Sequence, residues 1–215
     1  MKKLVVCLLA ILNLGLLWAD ENILRLPAPN ISEGLPLMQA FAQRASAPAT
    51  AFSKGEFSLQ ELSDLLWAAN GVNRPSEGKR TAASAMNSQD VDVFVFLEDG
   101  VYLYMAEKHQ LKRVAEGDHR LLTAGRQEQF AQAPLVFLLV SDTARFARGD
   151  HEQKQQWAAL DAGMVAQNIM LLCASEGWLC RPRASMDKDR IAEVLGLTDL
   201  QIVLLNIPVA KNTMD

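Results

Sequence analysis

Apolar and polar positions recur along this chain with two different periods, and the places where the period changes mark its elements. Leucines at 59, 62, 65 and 66 form one stripe at helical spacing, which predicts a helix over residues 58–69. Ser58 and Glu61 frame its start as a capping box, and Phe57 and Leu62 are spaced for a hydrophobic staple. Asn70-Gly71 predicts a left-handed stop. Leu37, Met38 and Phe41 share one face of a shorter helix within residues 35–44. Residues 45–54 and the polar stretch 73–83 read as loops. The period then drops to two: Val91, Val93 and Val95 alternate with Asp92, Phe94 and Phe96, as in a strand. Glu98-Asp99-Gly100 predicts a turn and residues 101–105 a returning strand, so 91–105 reads as a hairpin. Residues 111–114 add a short third strand, and 127–132 a short helix. Leu135 to Val140 is an uninterrupted apolar run between Pro134 and Asp142, the pattern of a strand buried on both faces.

The longest helical pattern runs from Lys154 to Glu176 and is closed by Gly177. Its middle, residues 162–174, is apolar nearly all round, apart from Gln167 and Asn168. A helix apolar on every side has to be buried on every side, so a second subunit is expected over its outer face. Residues 178–181 read as a short strand. Ser185 is placed to cap a helix over 187–195, with Gly196 as its stop, and 201–209 reads as the last strand. Residues 20–34 form an extended lead-in. The whole predicts an α+β fold: a small, mostly antiparallel central sheet flanked by helices, without internal repeats.

Composition narrows the function classes. The chain has 215 residues, half of them hydrophobic and 21% charged, with a net charge of −4. That is globular composition, and it holds no Lys/Arg excess to neutralise a nucleic-acid backbone. Residues 1–19 have the layout of a secretory signal: Lys2 and Lys3, an apolar run from Leu4 to Leu17, and Ala19 ahead of Asp20-Glu21. The run is short and wrongly flanked for a spanning helix. An uncleaved N-terminal anchor is the alternative, because Leu17 and Trp18 sit at the cleavage position. Residues 20–215 then form one domain, periplasmic or secreted, with no membrane span after cleavage. Its two cysteines, Cys173 and Cys180, read as two buried thiols or one structural bridge.

Candidate chemistry is sparse. His109, His119 and His151 have no metal-ligand spacing, and neither a Walker A motif nor GxGxxG occurs. Ser185 and Lys188 fit S-x-x-K, but the companion motifs of that enzyme class are missing. More informative is a set of anion- and amide-recognising groups. Arg44 with Ser46 can grip a phosphate through a charged fork and a hydroxyl. Arg80, Thr81, Ser84, Asn87 and Gln89 precede the first predicted hairpin, and Asn and Gln amides offer donor and acceptor together. Each residue has a plainer reading, Arg44 as a solvated helix-end charge and Asn87 as a turn former.

Longer stretches carry a resemblance. LSDLLWAANGVNR (62–74), GKRTAASAMNSQDVDVFVF (78–96), VYLY (101–104), ALDAGMVAQNIMLLCASEGW (159–178) and LLNIPVA (204–210) resemble the nitroreductase-like flavoproteins, in particular the branch that includes the azoline-forming peptide-maturation oxidases. The resemblance implies a nitroreductase-like fold, a homodimer with two FMN molecules at the subunit interface, and two-electron transfer through flavin N5. It places Arg44 and Ser46 in the family's R-x-S phosphate and ribityl site. Ser84, Asn87 and Gln89 fall in its S-x-x-N-x-Q segment, with Asn87 reaching the flavin. Backbone N–H groups around Ala184 and Ser185 would approach N5, and Lys211 is the remaining candidate for a C-terminal phosphate cation. The chain departs from the pattern at Pro48, where a second basic residue is usual, and at Ala184 and Ser185, which replace an acidic residue and a glycine. Together with the signal layout of residues 1–19, the resemblance implies an exported FMN-dependent oxidoreductase acting on a small-molecule substrate or an exported electron carrier. The departures open a second reading, a binding protein of the same fold that has lost FMN catalysis.

Overall fold

A computed structural model of the chain describes residues 22–53 and 55–212; the proposed signal, residues 1–19, lies outside them. The alternating stretch forms β4 (Val91–Phe96) and its return forms β5 (Gly100–Met105), with Phe94 opposite Leu103 and Val95 opposite Tyr102. The chain turns back once more as β6 (Gln110–Glu116). The apolar run becomes β7 (Leu135–Asp142), which pairs with the far side of β4. Beyond β7 lies β9 (Gln201–Ala210), and on its outer edge the two-residue β8 (Leu179–Cys180). At the opposite edge β1 (Ile23–Arg25) pairs with β6. The order is β1-β6-β5-β4-β7-β9-β8, every neighbouring pair antiparallel. The fold is the expected α+β type, with a seven-stranded sheet larger than the sequence pattern predicts.

Pleating divides the core in two. Val91, Val93 and Val95 face α2 (Leu59–Asn70) and α4 (His151–Ser175), with Phe137, Leu139 and Ile169. Phe94, Phe96, Val136 and Leu138 face the other way, toward α3 (Arg120–Ala124) and α5 (Lys188–Leu195), with Phe130 and Ile191. Both faces of β7 are therefore covered, which is why it has no polar alternation. A short α1 (Leu37–Gln43) lies against α4.

The capping box on α2 forms as predicted: Glu61 N–H donates to Ser58 Oγ (3.2 Å), and Ser58 N–H to Glu61 Oε2 (2.6 Å). Ser58→Ala is expected to lower the unfolding free energy by about 1 kcal/mol, read from the urea midpoint at unchanged slope. The stop of this helix differs from the expectation. Gly71 is extended (φ −74°, ψ 164°), and glycine is needed for space, because a Cβ there would lie 2.5 Å from Trp67 Cδ1. The predicted loop 73–83 contains a small hairpin, β2 (Val72–Arg74) with β3 (Lys79–Arg80), and the lead-in contributes β1. Ser185 does not cap α5; Asp187 does, accepting from Arg190 N–H at 3.2 Å. Helix α4 begins earlier than predicted, because Asp150 and Gln153 form a second capping box.

Among the described residues, only one side of α4 is covered. Ala158, Ala162, Val165, Ala166 and Ile169 are buried, whereas Leu160 (62%) and Met164 (50%) are exposed. α4 is long and apolar enough to cross a membrane by composition, and here it is the core helix of the sheet. Cys173 and Cys180 are free, buried thiols within hydrogen-bonding reach of each other. Burial first, and Cys180 second, push the Cys173 thiol well above its ordinary pKa.

Candidate functional site

Arg44 and Ser46 follow α1 and run alongside β8. Ala47 N–H donates to Cys180 carbonyl oxygen (3.0 Å), and Arg181 Nη1 donates back to Ala47 carbonyl oxygen (3.2 Å). This strap brings a third group, Arg181, beside Arg44 and Ser46. Arg44 is half-buried and its charge acts on the Cys180 thiol, which is lowered chiefly by its hydrogen bond with Cys173. Among the described residues no carboxylate neutralises Arg44 or Arg181. Lys211 follows the β8–β9 pairing directly, but its Nζ is bound by Glu61 Oε1 at 2.8 Å and lies 5.5 Å over the Phe57 ring. Arg181, without a carboxylate partner among the described residues, is a further cation at this end.

From Cys180 the chain runs five residues to Ser185, at most about 17 Å. Arg183 anchors that passage from below. Its guanidinium is buried, lies 4.0 Å over the Phe130 ring, and donates to Thr123 carbonyl oxygen (3.0 Å), Ala124 carbonyl oxygen (2.7 Å) and Asn206 Oδ1 (3.2 Å). Asn206 Nδ2 in turn holds the carbonyls of Arg183 (3.3 Å) and Ser185 (3.1 Å). With those carbonyls drawn inward, Ala184 and Ser185 stay exposed, and among the described residues no acceptor takes their N–H groups. Gly125 leaves room for this loop: a Cβ on it would sit 2.8 Å from Ser185 Oγ. Lys188 makes no hydrogen bond to Ser185, so the S-x-x-K pair is not assembled.

Ser84, Asn87 and Gln89 are elsewhere. They lie in the turn that enters β4, with Met86, Asn87 and Gln89 all in left-handed backbone (φ 55°, 55° and 49°). Ser84 Oγ accepts from Gln89 N–H (2.9 Å), and Ala85 N–H donates to Asp161 Oδ2 (2.8 Å). The Asn87 side chain is exposed and available to a ligand. The Gln89 amide is engaged inside the chain, donating to Gly78 carbonyl oxygen (2.8 Å) and accepting from Arg80 Nε (2.8 Å).

Sheet register places the two groups apart. Val91, next to this turn, is opposite Ser141, which is opposite Ile202; Arg44 and Ser46 lie by Cys180, opposite Val209. Seven residues of β9 separate the two levels, about 23 Å. One small molecule cannot bridge them within one chain. The cavity at the first group, between Gln43, Ala45, Ala47, Trp178 and Cys180, has a volume of about 180 Å³, below the roughly 300–1,000 Å³ usual for cofactor sites. Large apolar side chains are exposed on both nearby helices: Leu37 (60%), Met38 (76%) and Phe41 on α1, and, farther along α4, Leu160 and Met164. Exposed large apolar side chains on a helix face are candidates for an association surface.

Arg181 and Arg183 escaped the sequence reading. The signal available was C-R-P-R-A-S, two arginines in the short passage ahead of the Ala184–Ser185 backbone.

Comparison with known proteins bears on this arrangement. A sequence model described as the nitroreductase family matches residues 43–211. A nitroreductase-like protein of Methanocaldococcus jannaschii is 26% identical over 195 residues, covering 86% of this chain and 96% of the relative. A crystal structure of a nitroreductase-like protein from Ralstonia eutropha superposes with a TM-score of 0.82 at 30% identity, over 92% of each chain. A chain of the E. coli microcin synthetase McbBCD complex shares the fold at 17% identity, with a TM-score of 0.69 over 95% of this chain and 84% of that one.

Proposed function

The chain belongs to the nitroreductase family, and we propose that it is an exported FMN-dependent oxidoreductase working as a homodimer. The observation that carries this reading is the line of donors from Arg44, Ser46 and Arg181 to the exposed N–H groups of Ala184 and Ser185. The residues fit the cofactor. Two arginines and a hydroxyl suit a phosphate, and unpaired backbone amides suit the acceptor edge of a flavin ring. When bound, FMN supplies two-electron transfer at N5. Arg44 and Arg181 hold the phosphate end. Asn206 and Arg183 keep the Ala184–Ser185 amides turned outward. Ser84 and Asn87 are contributed by the partner subunit, because in one chain they lie a sheet's length away. The apolar face of α1 and α4 is the surface through which two chains meet, covering Leu160 and Met164. Export rests on the basic start and apolar run of residues 1–19. Nicotinamide donors are scarce outside the cytoplasm, so an exported carrier or a small-molecule substrate exchanges the electrons.

Titration of the full chain with FMN, followed by visible absorbance and flavin fluorescence, tests the reading. One flavin retained per chain, in a dimer by light scattering, is the expected result. A monomer that retains no flavin at saturating FMN overturns it. The engagement of Lys211 by Glu61 favours one alternative, a family-fold protein whose pocket holds another ligand. That protein would form the same dimer and leave added flavin free.

A further inference from the structure

Two acids beneath the 84–89 turn are placed where they should repel each other. Asp90 is fully buried and Asp161 is 6% exposed. Asp90 closes the turn just before β4, whereas Asp161 projects from the sheet-facing side of α4. Their carboxyl groups lie within hydrogen-bonding reach of each other. Donors surround the pair: Ala85 N–H on Asp161 Oδ2 (2.8 Å), and Ser88 Oγ (3.0 Å) and Ser141 Oγ (2.5 Å) on the Asp90 carboxyl. From α2 the facing group is the neutral Asn70, whose amide is held by Val91 carbonyl oxygen (2.9 Å). The cation acting on Asp90 is Arg145, on the turn after β7. Its hydrogen bonds go to Asp92 (2.7 and 2.8 Å) and Gln89 carbonyl oxygen (2.9 Å), and its Nε lies 3.3 Å from Asp142. Among the described residues no cation therefore bonds either member of the pair. Two buried carboxylates in contact do not both ionise readily. One proton between them makes an O–H···O bond and leaves oxygens free for Ala85, Ser88 and Ser141.

The turn they grip requires holding. Three non-glycine residues, Met86, Asn87 and Gln89, sit in left-handed backbone, a conformation that persists only when its surroundings enforce it. The Asp161 bond to Ala85 is made at the entry to that stretch. We propose that Asp161 is a positioning residue: it shares one proton with Asp90 and so fixes the 84–89 turn in the conformation that presents Ser84 and Asn87 to the flavin. The part that concerns the flavin rests on the FMN reading; the grip on the turn does not.

Burial, with Asp90 second, pushes the Asp161 pKa up to about 7, against an ordinary value of 3.8. An acid whose folded pKa is raised binds more protons in the native state than in the unfolded chain. Stability from the shared proton is therefore complete below about pH 4, falls as pH rises toward about 7, and is lost above it. Asn at 161 would keep both bonds, its NH2 donating to Asp90 and its oxygen accepting from Ala85, with no proton to release.

The test compares wild type, Asp161→Asn and Asp161→Ala. Melting temperature is measured without FMN from about pH 4 to pH 8, and FMN affinity is measured at either end. Relative to Asp161→Asn, wild type should lose about 4 °C or more across this range. Its FMN affinity should match that of Asp161→Asn at low pH and fall below it at high pH. Asp161→Ala should bind FMN about tenfold more weakly at both, the effect of one lost anchoring bond. Parallel melting profiles for wild type and Asp161→Asn overturn the shared proton, whether or not flavin binds. Equal FMN affinities for all three proteins overturn the positioning role. A protein that binds no FMN fails the cofactor reading, and the melting profiles still decide the shared proton. Should Asp161→Ala not fold, the pH-dependent difference between wild type and Asp161→Asn carries the test.

Discussion

Arg183→Met is expected to lower folding stability by about 3 kcal/mol and to loosen the Ala184–Ser185 loop. Methionine fills much of the same volume but cannot donate. The carbonyls of Thr123 and Ala124 and the Asn206 amide oxygen lose a charged donor in a buried setting, and each such loss costs about 1–3 kcal/mol before relaxation. The guanidinium also leaves the Phe130 face, 4.0 Å away, a contact worth about 0.5–2 kcal/mol. Non-additivity among neighbours keeps the total near the lower end of the sum. Urea unfolding measures the loss. A change below about 0.5 kcal/mol, the range of ordinary surface substitutions, would mean that α3 is held without Arg183.

The second large effect is on the cofactor. If FMN is held as proposed, Arg44→Ala removes a charged donor from its phosphate end and should weaken its binding about 10- to 100-fold. Asn87→Ala removes a neutral donor and should cost about fivefold. The informative experiment pairs them. If each site takes Arg44 from one chain and Asn87 from the other, a mixed dimer of Arg44→Ala with Asn87→Ala has one site with both side chains and one with neither. Co-expressed chains carrying different tags isolate that dimer. Half of its sites should bind FMN as wild type does. One site weakened as in Arg44→Ala and the other as in Asn87→Ala, with neither binding as wild type does, would place both groups in the same chain.

Legibility followed the range of the interactions. The α2 cap, the β4–β5 hairpin and the apolar run of β7 could be read because their causes are local: a hydroxyl three residues from a carboxylate, a period of two, a strand covered on both faces. β1 could not. It is three residues of mixed polarity, ordered by backbone pairing to β6 across a long stretch of chain. The 72–80 hairpin was hidden for the same reason, since its strands carry Arg, Asn and Lys rather than alternating apolar residues. The proposed phosphate pair, Arg44 and Ser46, was recognisable from its residue types, but the proposed companion was not. Arg181 reaches them through the Ala47–Cys180 strap, whereas Lys211, nearer in appearance, is drawn off by Glu61. Gln89 shows the converse: its type and spacing suit a ligand, and its amide instead ties the turn to Gly78 and Arg80.

The outermost strands of the sheet are its shortest, three residues at β1 and two at β8. Each offers little free ladder for a foreign strand to zip onto, which protects the chain from edge-on aggregation. It also restricts how any companion can be accommodated. Along β1 and β8 themselves, a continuous sheet running from one molecule into the next has little to build on.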